Sequence, residues 1–128
     1  MKTAILLLGH GSRAAGANDT LSAIASLVKA ETGAALVEVA FLPPHTPGIE
    51  AGIDRCVAQG AARILLSPYF LYAGAHVLQD LPEQIEQARM RHPGLEMILG
   101  KPLGVHPKLA EIVRERIDAA LQMVGWSL

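Results

Sequence analysis

The 128-residue chain is short of several things, and each shortage narrows what it can be. It has one cysteine, Cys56, so no internal disulfide framework can form, and that usage suits a reducing cytoplasm. Two tyrosines, two phenylalanines and one tryptophan are too few for a base-stacking platform. Neither sign of charge dominates: 11 basic residues face 12 acidic ones, so there is no basic footprint for nucleic acid. Although 51% of the residues are hydrophobic, runs such as "AILLLG" fall far below the roughly 20 apolar residues that span a bilayer. Lys2 followed by a short apolar run mimics a signal peptide, but no small-residue cleavage site follows it. The expectation is one soluble cytoplasmic domain over residues 1–128, long enough to build a core without staples.

What is present is alternation. Four short apolar runs, "AILLLG" (4–9), "ALVEVAF" (35–41), "ARILLSPYF" (62–70) and "LEMILG" (95–100), read as strands. The first and third are continuous, as in strands buried on both faces of a parallel sheet. Between and after them lie segments with apolar residues at three- and four-residue steps: Leu21, Ile24 and Val28; Ile49, Ile53 and Val57; Leu81, Ile85 and Ala88; Leu109, Ile112, Val113, Ile117 and Leu121. Each reads as a helix with one stripe to lay against a sheet. Thr46 with Pro47, and Asp80 with Pro82, read as helix starts, and Gly33, Gly60 and Gly94 as helix ends. The order implies right-handed crossovers and an α/β fold: a four-stranded parallel sheet with helices on both faces.

The five histidines are not scattered evenly along this pattern. Ligands of open α/β sheets bind beyond the carboxyl ends of the strands. His10, His45, His76 and His106 each fall in the loop after a strand, and only His92 belongs to the opposite edge. His106 precedes a proline at a helix start, so capping competes with a ligand role. His45 stands between two prolines and Thr46 and reads equally as an uncommitted loop residue. His10 lies between two glycines and His76 behind a Gly-Ala pair, which lets backbone approach a ligand closely. Imidazole serves both as a ligand for first-row divalent metals and as a base near neutral pH. "HExxH" and "CxxC" are absent, which argues against a closed structural zinc site. Cys56, beside Val57 on a helical stripe, reads as core.

"LLGHGSR" (6–13), "SPYFLYAGAHVLQDLPEQI" (67–85) and "GKPLGVHPKLAEIV" (100–113) together resemble the small CbiX-type sirohydrochlorin chelatases. These class II chelatases insert a divalent metal into a tetrapyrrole without ATP, and the resemblance spans essentially the whole chain. It implies that His10 and His76 hold the incoming metal and are the catalytic residues. No cofactor is implied beyond the metal substrate, with cobalt first and nickel or iron as alternatives. Ser12, Arg13, Tyr69, Phe70, Tyr72, Gly74, Ala75 and Lys101 are the implied tetrapyrrole-binding residues. Arg13, Lys101 and Lys108 read equally as solvated surface charge, and Phe70 equally as core. Family members commonly carry an acidic residue where this chain has "FLPPHTPG", so either His45 supplies a third ligand or proton acceptor, or that role is missing.

Related chelatases place two such domains around one tetrapyrrole cleft, so the resemblance also implies a homodimer of C2 symmetry. Trp126, in the tail "MVGWSL", either joins that contact or folds back on its own domain. Two other functions fit parts of the sequence. His10 could be a phosphohistidine nucleophile, although Gly9 stands where such enzymes carry arginine. The histidine set could also belong to a non-enzymatic metal carrier, and an inert packing domain ranks third.

Overall fold

The apolar run after Lys2 becomes the central strand of the sheet, β1 (Thr3–Gly9), and its alternation explains the two-sided core. The computed structural model describes residues 2–128, the side chain of His76 excepted. After β1 come α1 (Asp19–Thr32), β2 (Leu36–Phe41), α2 (Ile49–Ala58), β3 (Arg63–Pro68), α3 (Ala75–Arg91), β4 (Glu96–Leu99) and α4 (Pro107–Val124). The strands lie parallel in the order β2-β1-β3-β4. β1 thus sits between β2 and β3, at the point where the winding reverses.

Alternate side chains of β1 face opposite layers. Ala4, Leu6 and Leu8 join Ile53, Cys56, Ile64, Leu66, Leu81 and Ile85 in the larger core beneath α2 and α3. Leu7 joins Leu21, Ala25 and Phe41 in the smaller core beneath α1. Helices therefore cover both faces, as the sequence predicts. α2 comes closest: a Cβ on Gly52 would lie 2.9 Å from that of Ala40 and 3.0 Å from Leu6 Cδ1.

Three expectations need correction. α2 begins at Ile49 with Gly48 as its N-cap, not at Thr46 and Pro47. The Pro47 carbonyl accepts from Phe41 N–H, which holds that stretch alongside β2 before the helix can begin. α3 begins at Ala75, five residues before Asp80, which leaves Pro82 inside the helix. An internal proline costs about 3 kcal/mol. Burying Leu81 and Ile85 returns about 1.5–3 kcal/mol each, enough to keep the helix continuous through it. The third correction concerns α4, which buries none of its residues, so its apolar stripe does not lie on the sheet of its own chain.

At the amino edge, α2 and α3 are clamped by charge. Asp54 Oδ1 lies 2.7 Å from His92 Nε2 and 3.2 Å from Arg91 Nη2. The hydrogen bond with His92 holds the Asp54 carboxyl below its usual range, partial desolvation opposes this, and Arg91 adds a second hydrogen bond and attraction. The shift is downward, so its stabilisation is complete above the ordinary value of 3.8 and disappears as pH falls through the lowered value. Thermal unfolding followed between pH 2 and 6 should therefore show a shallower acid loss for Asp54→Asn than for the parent. In the core, Leu66→Ala should lower the urea-unfolding free energy by about 2–5 kcal/mol.

Candidate functional site

His10 emerges where the central strand ends, and both neighbouring strands hold that end in place. Leu42 N–H donates to the Gly9 carbonyl at 3.0 Å from one side, and Tyr69 N–H to the Leu8 carbonyl at 2.8 Å from the other. The flanking glycines have steric reasons. A Cβ on Gly9 would lie 2.9 Å from Leu21 Cδ2, and Gly11 has φ +83° with its missing Cβ position 2.5 Å from the His45 ring. No L-side chain fits readily at either place. The His10 imidazole leans on Phe70, with ring centroids 4.3 Å apart and planes at 35°. Phe70 is buried, so both of its sequence readings hold: it is core, and it is the wall behind His10.

Asn18 is the residue that sequence reasoning missed. Its side chain accepts from Ser12 N–H at 2.8 Å and donates to the Ser12 carbonyl at 3.2 Å, closing the loop that carries His10. Ser12 Oγ in turn accepts from Ala14 N–H. The signal was present, because an asparagine just before a helix is a capping type. It was not decisive, because Asn18 here bonds backward into the loop and makes no side-chain cap.

The other histidines separate clearly. His45 packs its ring over Gly11, so the second loop touches the first. His106 accepts from Lys108 N–H at 3.1 Å through Nδ1 and caps α4, which favours its structural reading. His92 belongs to the clamp at the opposite edge. His76 is the second residue of α3, in its first turn rather than in a loop, and its side chain lies outside the described residues.

A hollow of about 500 Å³ joins His10 to Tyr69, Phe70, Tyr72, Gly74 and Ala75, so the start of α3 borders the same space as His10. A smaller hollow of about 190 Å³ lies on the other side of His10, against Gly11, Asn18 and Thr20. Tyr72 is 78% exposed, and Arg13, Lys101 and Lys108 are exposed. Leu103 N–H and Gly104 N–H donate to the carbonyls of Phe70 and Leu71, which ties the segment carrying Lys101 to this edge. The largest groove, about 690 Å³, lies elsewhere, on the β3–β4 half of the sheet, and no histidine lines it. Cys56 is not available to this edge: it is fully buried, and burial, with Glu38 adding to it, pushes the thiol up to about 11. Among the described residues, no three His, Cys, Asp or Glu side chains converge to hold an ion.

Residues 4–120 match the sequence profile of the CbiX family. The chain belongs to the CbiX family. It is 37% identical over 117 residues to the sirohydrochlorin ferrochelatase of Bacillus subtilis (strain 168), covering 91% of this chain and 45% of that one. With the sirohydrochlorin cobaltochelatase of Methanothermobacter thermautotrophicus it shares 30% over 135 residues, 94% of each chain. The fold superposes on the cobalt complex of the sirohydrochlorin chelatase SirB from Bacillus subtilis subspecies spizizenii with a TM-score of 0.84 and 38% identity. That match covers 93% of this chain and 51% of SirB. This CbiX chain therefore spans about half the length of its longer relatives.

Gly11 tests the contact between the first two loops. Gly11→Ala should displace His45, seen as a shift of the His45 ring resonances by NMR. Gly74→Ala, where φ is −72° and the space is open, should leave them unchanged.

Proposed function

We propose that the chain works as a single CbiX-type unit over residues 1–128, inserting a divalent metal into sirohydrochlorin or a related tetrapyrrole in the cytoplasm. One observation carries the reading. His10 stands at the switch point of the sheet and shares its hollow with the start of α3, the segment that bears His76. Family membership does not favour the phosphohistidine or metal-carrier readings.

The ion is a substrate in this scheme, taken up by His10 and His76. Cobalt is the first choice, with nickel or iron as alternatives, and the relatives are named for both cobalt and iron. Two imidazoles leave coordination positions open, so a pyrrole nitrogen can enter before the ion is fully released. Two pyrrole protons must also leave, and a neutral imidazole is a competent acceptor at neutral pH. His45, packed on the loop next to His10, is proposed as the third ligand or acceptor in place of the family's acidic residue. Tyr69, Phe70 and Tyr72 offer the macrocycle an apolar wall, with Gly74 and Ala75 leaving room beside it. Ser12 shapes the first loop, while Arg13, Lys101 and Lys108 put positive charge where the substrate carries carboxylates. A bent macrocycle bound here would present its lone pairs to the ion, which favours the transition state over the flat substrate.

One unit supplies one wall, so a homodimer is part of the proposal, and sedimentation at micromolar concentration should give twice the chain mass. A chelation assay with sirohydrochlorin and each metal in turn tests the activity. His10→Ala and His76→Ala should each lower metal insertion by about 10²–10⁴-fold with the far-ultraviolet spectrum unchanged. His92→Ala, at the opposite edge, should insert metal at the parent rate. Normal rates in both His10 and His76 variants would end the metal-delivery reading.

A further inference from the structure

The two faces of the sheet are not equally covered. On the face that carries α1, one row of register partners runs Val37, Ile5, Leu65, Ile98 from β2 to β4. α1 packs over Val37 and Ile5. Beyond them the sheet is bare: Ile98 is 64% exposed and lies with Leu65, Arg63 and Thr3 in the groove of about 690 Å³. A parallel sheet exposed on half a face is unusual, because such sheets are normally covered on both.

The same chain carries the opposite kind of surface without a partner. α4 is 18 residues long, buries none of them, and leaves the stripe Leu109, Ile112, Val113, Ile117, Leu121 and Val124 at least partly exposed. Val113 is 56% exposed and the following Trp126 72%. α4 is the final element of an alternating α/β pattern and has the periodicity of a helix that packs on a sheet. Its approach is set by the preceding segment, whose Leu103 and Gly104 amides are bonded to Phe70 and Leu71 at the carboxyl edge. From there it leaves without covering its own groove.

We infer that α4 of one copy seats in the β3–β4 groove of a second copy, and reciprocally. The inference rests on the proposed homodimer and names the surfaces that form it. A C2 exchange satisfies both free surfaces of both copies with one self-complementary contact. Charge agrees: by its spacing Arg116 stands on the apolar side of α4, and Glu96 is the one carboxylate lining the groove. Two exchanged helices, each covering a groove with six apolar side chains, fall within the roughly 1,200–2,000 Å² of a stable interface. The chain's own α4 folding back on its own groove is the competing occupant.

Cross-linking separates the two. An Ile98→Cys chain and a differently tagged Ile117→Cys chain, expressed together and oxidised, should give a covalent dimer carrying both tags. Val113→Cys in place of Ile117→Cys should do the same, and Glu115→Cys, on the polar side of α4, should not. A doubly substituted Ile98→Cys, Ile117→Cys chain that closes into an internally bridged monomer would overturn the exchange. Ile117→Glu provides the second measurement. Sedimentation should show its dimer weakened at least tenfold with the helical spectrum kept. A dimer unchanged by Ile117→Glu and without the 98–117 link would overturn the exchange while leaving the homodimer itself standing.

Discussion

Everything at the carboxyl edge depends on how the central strand is held at its last two residues. β1 is paired on both sides along its length, and at its end Leu42 and Tyr69 bond the carbonyls of Gly9 and Leu8. Those two hydrogen bonds come from the loops after β2 and β3, so three βα loops are tied together at one point. His10 leaves the sheet from that point. Its position is therefore a property of the sheet and not of a mobile loop, which is what a group handling a metal ion needs.

Glycine and asparagine carry this constraint into the loop. Gly9 is small because Leu21 and Phe41 close in on it, and Gly11 is small because the His45 ring lies over it at a positive φ. Asn18 then bonds both the amide and the carbonyl of Ser12. The first loop is thus shaped by packing above and below and by one side chain reaching back. Phe70 completes it, because a buried ring limits the orientations open to His10.

Most of the sheet could be read from the chain because burial on two faces leaves a strong trace. "AILLLG" has no polar residue to place in water, and the structure buries it in two separate cores. Helix starts were less legible. The proline signals at Pro47 and Pro82 are local, and they lost to non-local terms: a backbone bond across to Phe41 in one case, and core burial of Leu81 and Ile85 in the other. The later start assigned to α3 also misplaced His76, which belongs to the first turn of a helix. At the site, the flanking glycines marked His10, but nothing in the spacing revealed its stacking on Phe70.

By itself the sequence determined the strand and helix order, the parallel sheet, the core role of Cys56 and the gathering of four histidines toward one edge. Those follow from periodicity and from the fact that a strand delivers its next loop to a fixed side. Tertiary structure alone decided which histidines share a neighbourhood. His45 meets the loop of His10, His106 is taken up as a cap, and His92 is bound to Asp54. It also decided that α4 stays off its own sheet. An amphipathic period says that a helix will bury one face. It cannot say against which surface, because that depends on where the preceding loop is bonded and on which grooves remain open.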